Sequence, residues 1–169
     1  MKFKEIYLAD KQRNGGGYIL RFLWLLRRCQ YSKGVLRPIY LLLLHHMQLR
    51  YGLEISWRTK IGKGFYLGHA FNITINPKAE IGELCNIHKG VTIGQQNRGK
   101  RQGVPRIGNR VWIGVNAAIV GNVKIGDDVL IAPNAYVNFD VPPHSVVIGN
   151  PGIIHPKANA TEGYINNIT

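Results

Sequence analysis

Isoleucine, leucine or valine recurs at every sixth position over most of the chain. The longest run is Ile107, Ile113, Ile119, Ile125, Ile131 and Val137; an earlier one is Ile75, Ile81, Ile87 and Ile93, and the first begins at Ile61, Leu67 and Ile73. Glycine follows the aliphatic residue in Ile61-Gly62, Ile81-Gly82, Ile93-Gly94, Ile107-Gly108, Ile113-Gly114 and Ile125-Gly126. A period of six fits neither an amphipathic helix nor a half-buried strand. It is the repeat of a parallel β-helix, in which one unit is a short strand and a tight turn, and three units close a triangular coil of about 18 residues. The aliphatic side chain points inward and stacks on its equivalent roughly 4.8 Å away in the next coil. One coil cannot bury its apolar residues alone, so stability comes from stacking. Glycine and asparagine at the corners permit the turn conformations.

The register slips twice. Ile73 to Ile81 is a step of eight, and Ile93 to Ile107 a step of fourteen. The second slip contains the polar, basic run Gln95-Gln96-Asn97-Arg98-Gly99-Lys100-Arg101-Gln102-Gly103-Val104. It reads as an excursion from the prism, and loops that leave a rigid scaffold commonly carry binding function.

Before the repeats, residues 18–31 and 35–50 read as two apolar helices flanked by arginines. Neither has the length of uninterrupted apolar sequence that spans a bilayer. They pack on the prism or on another subunit, and Phe22 and Trp24 with Arg21, Arg27, Arg28 and Arg37 also suit an anionic membrane surface. The chain therefore divides into a basic, apolar helical region (1–52), a β-helix domain (53–156) and a tail (157–169). The tail from Ala158 carries no pattern and is expected to lack fixed structure.

The formal charge of +13 points to polyanionic partners such as anionic lipid or a phosphate-rich cofactor. No helix-turn-helix, zinc-finger or RNA-binding fingerprint accompanies it, so nucleic acid is not expected. Cys29 and Cys85 show no metal-ligand spacing and fit a reduced, cytoplasmic setting. The N-terminus lacks the layout of a signal peptide. The Asn-x-Thr matches at Asn72, Asn159 and Asn167 carry no weight without one.

Among the histidines, His69 in Leu67-Gly68-His69-Ala70 is the leading chemical candidate, because Glu54 lies 15 residues earlier, almost one coil back. A carboxylate beside an imidazole fixes its tautomer and raises its basicity, which suits it to take a proton from an alcohol. His88 falls near the same face one coil later, as a substrate contact or a solvated corner. The adjacent pair His45-His46 points in different directions on a helix and is not expected to share a metal. No metal site is expected, and three histidines at zinc-binding spacing do not occur in the coils.

These residues carry a family resemblance. Glu54 to Pro151 resembles the left-handed β-helix acyltransferases, and within them the serine acetyltransferase group. The landmarks are Gly68-His69-Ala70, Gly90-Val91-Thr92-Ile93-Gly94, the basic loop, Val120-Gly121-Asn122-Val123-Lys124-Ile125-Gly126, Val141-Pro142-Pro143-His144 and Gly149-Asn150-Pro151. The resemblance implies a left-handed β-helix, a homotrimer, and acetyl-coenzyme A as acyl donor in the cleft between prisms. It implies that His69 is the general base and Glu54, where those enzymes have Asp, its dyad partner. It places the pantetheine arm on backbone near Gly94, Gln95, Gly114, Val115, Ala132 and Pro133, with Lys100, Arg101, Arg106 and Lys157 toward the nucleotide phosphates.

Two departures bear on the acceptor. Serine acetyltransferases carry Asp where this chain has Gly68, and His where it has Val104. Losing both weakens the expected grip on serine, and with the short helical region the pattern looks more like the exopolysaccharide acetyltransferases of colanic-acid type, which share the Gly52-Leu53-Glu54 entry. The expectation is thus an O-acetyltransferase acting on a saccharide hydroxyl, at the inner face of the cell membrane, with Gly68, His88 and Val104 on the acceptor side. A serine O-acetyltransferase of cysteine biosynthesis is the first alternative. A non-catalytic, membrane-recruited β-helix scaffold is the second.

Overall fold

The computed structural model describes residues 3–165. Helices α1 (Phe3–Arg13), α2 (Tyr18–Tyr31) and α3 (Arg37–Tyr51) precede a three-sided parallel β-helix. The first face stacks Leu53–Ile55, Ile73–Ile75, Thr92–Gly94, Ala118–Val120 and Tyr136–Val137. The second stacks Lys60–Ile61, Glu80–Ile81, Arg106–Ile107 and Lys124–Ile125. The third stacks Tyr66–Gly68, Asn86–His88, Trp112–Ile113, Val129–Ile131 and Ser145–Ile148, and ends on the antiparallel strand Ile153–Pro156. The six-residue series lines the interior: Ile81, Ile87, Ile93, Ile107, Ile113, Ile119, Ile125, Ile131 and Val137 are all buried.

Pairing locates both slips. Leu67 pairs with Ile87, and Ile75 with Ile93, so the step from Leu67 to Ile75 is two residues longer than the step from Ile87 to Ile93. The surplus therefore lies in the corner Gly68–Asn72, just ahead of where the sequence spacing places it. Ile87 pairs with Ile113 and Ile93 with Ile119, so the second slip is one corner with eight surplus residues rather than two units with two. Those residues form a hairpin closed by an antiparallel bridge between Gln96 and Gly103.

Two corners of every coil need a left-handed residue. Asn72, Gly90, Asn116 and Asn134 stack at one; Gly64, Leu84, Arg110, Asp128 and His144 stack at the other. Asparagine and glycine suit this conformation, whereas Leu84 and Arg110 adopt it against their preference.

The helical region answers a problem that the prism creates. Its first coil would expose an unpaired strand edge on each face. Side chains from the helices fill that ladder. Gln48 Nε2 donates to the Ile55 carbonyl at 2.9 Å on the first face, and Arg27 Nη1 to the Ile61 carbonyl at 2.8 Å on the second. On the third, the Phe65 amide donates to Asp10 Oδ1 at 2.9 Å and the Leu67 amide to Asn14 Oδ1 at 3.0 Å. Helix α1 thus supplies essential caps, although no sequence pattern announces it. Asp10 and Arg27 form a fully buried ion pair, Nε to Oδ2 2.8 Å. Burial pushes the Asp10 carboxyl up, against the opposing pull of Arg27.

The described part of the tail is folded, contrary to expectation. Asp128 Oδ1 accepts from the Thr161 hydroxyl at 2.6 Å and its amide at 3.1 Å, and Oδ2 from the Ala160 amide at 3.0 Å. Ala160, Thr161 and Ile165 are buried as a result.

Candidate active site at the irregular corner

The two surplus residues make the Gly68–Asn72 corner protrude, and His69 rides on it, exposed and left-handed at φ 52°. Left-handed backbone is uncommon outside glycine, although histidine enters it more readily than most residues. Here the backbone on both sides is tied down. The Lys89 amide donates to the Gly68 carbonyl at 3.0 Å, the Gly90 amide to the Phe71 carbonyl at 3.0 Å, and the Asn72 amide to the Tyr51 carbonyl at 3.0 Å. Tyr18 Oη donates to the Ala70 carbonyl at 3.2 Å. The stack Tyr18–Tyr51 (4.3 Å between centroids) and the edge-to-face pair Tyr51–Phe71 (5.6 Å) brace the corner from the helices. The result is a rigid pedestal for an imidazole that makes no hydrogen bond among the described residues.

Glu54 and His69 share no hydrogen bond among the described residues. Glu54 points out from the middle of the first face, where the Thr74 hydroxyl approaches Oε2 at 3.4 Å. A groove of about 830 Å³ runs there between the prism and α3, lined by Glu54, Thr74, Gly94, Gln95, His45 and Gln48 among others. The residues expected to act together therefore divide. Glu54, Gly94 and Gln95 belong to this groove. His69, Gly114, Val115, Ala132 and Pro133 follow the corner between the third and first faces. Backbone at that corner is largely committed between coils: Gly114 and Ala132 donate their amides to Ile131 and Val147 at 2.8 Å, and the Val115 carbonyl accepts from Asn134 at 2.9 Å.

The basic hairpin holds Lys100 and Arg101, and Val104 is half-buried at its base. Arg101 Nη1 is paired with Asp140 Oδ1 at 2.9 Å. A cavity of about 510 Å³ beside it is lined by Lys100, Arg101, Arg106, Lys124 and Asp140. The Asp140 carboxyl is held below its ordinary range, chiefly by the Lys124 amide and further by Arg101.

Gly68 and His88 are neighbours across coils. A Cβ at position 68 would stand 2.2 Å from His88 Cδ2 and 2.5 Å from its Nε2. The imidazole of His88 thus occupies the space that a side chain at 68 would take. Its Nδ1 lies 2.9 Å from the Ile113 carbonyl, so Nδ1 carries the proton and Nε2 keeps its lone pair. Burial holds the His88 pKa down, the carbonyl bond raises it, and neighbouring His69 lowers it again. Trp112 at 4.6 Å and Tyr66 at 6.0 Å flank the ring. A pocket of about 300 Å³ opens beside it, with Arg13, Asn86 and Tyr164 completing the wall. Nothing in the spacing of residues 13, 86 and 164 could have joined them. Among the described residues no group of three or more His, Cys, Asp or Glu could hold a metal ion, and no helix is long and apolar enough to cross a membrane.

Residues 105–138 match the family described as Bacterial transferase hexapeptide (six repeats). That stretch lies within the β-helix, and the whole architecture is similar to that of solved hexapeptide-repeat acetyltransferases. Its relatives narrow the group. Serine acetyltransferase of Helicobacter pylori is 38% identical over 99 residues, covering 59% of this chain and 58% of that protein. That of Staphylococcus aureus is 40% identical over 105 residues, 61% of this chain and 48% of the relative. The chain spans about half the length of the curated relatives it matches. The soybean serine acetyltransferase apoenzyme superposes with TM-score 0.75 at 27% identity, over 90% of this chain and 69% of that one. The Neisseria gonorrhoeae serine acetyltransferase in complex with serine superposes with TM-score 0.71, 27% identity and the same coverage.

These findings overturn the saccharide acceptor and the colanic-acid-type closeness inferred from Gly68 and Val104, since the relatives and structural neighbours are serine acetyltransferases. The physical reason is the His88 ring. Position 68 has no side chain, but the His88 imidazole stands in the space that one would take.

Proposed function

We propose that the chain is an acetyl-coenzyme-A-dependent serine O-acetyltransferase, with His69 as general base. His69 takes the hydroxyl proton as the serine oxygen attacks the thioester carbonyl. The C–S bond breaks, coenzyme A leaves as the thiolate, and the proton passes on from His69 to it. Glu54 is the carboxylate assigned to orient and stabilise the imidazolium; at 3.4 Å its hold on Thr74 is weak, so turning toward His69 costs little. His88 Nε2, kept unprotonated by the Nδ1 contact with Ile113, receives the ammonium of serine in place of a carboxylate at 68. The middle outward positions of the first face, Thr74, Thr92 and Ala118, are small and lie beside Gly94, which suits an extended pantetheine arm. Lys100, Arg101 and Arg106 supply charge for nucleotide phosphates. A homotrimer, with the donor between adjacent prisms, accompanies this reading.

The observation that carries the proposal is the similarity to serine acetyltransferases at 38–40% identity. Its test is thiol release from acetyl-coenzyme A with and without L-serine. Serine-dependent release with O-acetylserine as product is expected, and no release above the serine-free rate would refute the reading.

A further inference from the structure

Helix α3 reads RPIYLLLLHHMQLRY and is apolar on almost every side. Only one side is used. Leu44 is buried, and Tyr40, Leu41 and Met47 pack toward the core. The other side leaves Ile39, Leu42, Leu43 and Leu49 in water, and Val35 and Leu36 extend the strip ahead of the helix. Leu42 is 69% and Leu49 72% exposed. Leu36, Ile39 and Leu43 follow helical spacing, and Leu42 and Leu49 lie one heptad apart on the same side, with His46 between the two rows. An exposed helix side on which four large apolar residues outnumber His46 and Arg50 has a second apolar phase to meet.

Charge identifies that phase. From Lys11 to Leu53 there is no aspartate or glutamate, while Lys11, Arg13, Arg21, Arg27, Arg28, Lys33, Arg37 and Arg50 are cationic. Arg27 is neutralised internally by Asp10, and Arg13 is buried. Of the others, Arg21 lines the cavity beside Leu43, and Arg50 is exposed on the outer side of α3. Arg37 lies 4.2 Å from the centre of the Trp57 ring at the start of α3, and Arg50 sits in its last turn. A second copy meeting it through the same segment would bring the same cations against these and, between residues 11 and 53, no anion. A bilayer with acidic headgroups offers an apolar layer and negative charge together. We infer that the outer side of α3 docks on an anionic lipid surface and lies in its plane, since no described helix is able to cross it. An apolar cavity of about 370 Å³ beside the strip, lined by Leu20, Trp24, Leu25, Leu43 and Met47 with Arg21, adds room for acyl-chain contact. The inference is independent of the acceptor assigned above.

The test is co-sedimentation of the full chain with phosphatidylcholine vesicles, with and without phosphatidylserine. Binding is expected only with phosphatidylserine, and it weakens as salt rises from about 0.05 to about 0.5 M. Ile39→Glu/Leu42→Glu, at two exposed positions, lowers partitioning by at least about tenfold. It leaves circular dichroism, thermal midpoint and thiol release unchanged. Equal failure to bind both vesicle types overturns the inference. So does self-association of the parent chain that the double variant abolishes and vesicles do not compete away.

Discussion

Gly68→Ala is a small change with a specific consequence. The backbone at Gly68 is not left-handed, so alanine is conformationally acceptable there. Its methyl, however, would lie 2.2 Å from His88 Cδ2 and 2.5 Å from Nε2, and the ring must move by more than an ångström. Movement breaks the contact of Nδ1 with the Ile113 carbonyl, now 2.9 Å, and disturbs the packing on Trp112. A lost hydrogen bond of this kind is worth about 0.5–1.5 kcal/mol, and overpacking costs typically about 1–3 kcal/mol. A total near 2–3 kcal/mol lowers the thermal midpoint by roughly 4–12 °C for a chain of this size. The decisive measurement is a double-mutant cycle by thermal or urea unfolding. In the His88→Ala background the methyl meets no ring, so Gly68→Ala there is expected to cost under about 0.5 kcal/mol. The same comparison by kinetics separates a structural from a substrate-binding role. Either single change raises the serine KM while the KM for acetyl-coenzyme A holds. Gly68→Ala with the same stability cost in both backgrounds would remove the basis for placing His88 in the acceptor pocket.

Other expected outcomes follow from the same geometry. His69→Ala lowers kcat by about 10²–10⁴-fold with coenzyme A affinity unchanged by calorimetry, whereas near-normal turnover would dismiss it as the base. His88 has its pKa held below 6.5, chiefly by burial, so it is neutral above that pH and gains a proton below it. The serine KM is therefore flat above 6.5 and rises on acidification, and a His88→Gln variant flattens that rise. Asp10→Ala strands the Arg27 guanidinium in a fully buried site and costs about 3–5 kcal/mol in urea unfolding. Burial raises the Asp128 pKa, but the Thr161 hydroxyl, His144 and two amides outweigh it and leave it below 3.8. A depressed carboxylate stabilises above its unfolded pKa and loses that contribution as pH falls through its folded pKa, so the tail is held at neutral pH and loosens only as pH falls below 3.8. Protease cleavage near Thr161 that is unchanged from neutral pH down to about pH 2, with an acid-active protease, would contradict this.

What the sequence could and could not convey follows from the distance over which each feature acts. The inward series repeats within six residues, and stacking alone makes it necessary, so Ile107 to Val137 was readable as a prism wall. The caps were not readable. Asn14 meets Phe65 and Leu67, and Arg27 meets Ile61, across separations of 51, 53 and 34 residues, and a polar residue on a short helix looks the same whether it faces water or a strand edge. The tail was misread for the same reason, because Asp128 reaches Thr161 across 33 residues. The acceptor side failed more instructively. A regular coil of about 18 residues would set Gly68 beside Asn86, and on that spacing the glycine reads as an empty place. The two surplus residues of the corner lengthen this coil, so that Gly68 pairs with His88 instead. The slip in register was visible, and so was the missing side chain. Their connection was not, because it is the slip itself that brings an imidazole into the vacancy. The irregularity that exposes His69 on its pedestal is therefore also what places a second, neutral histidine beside it.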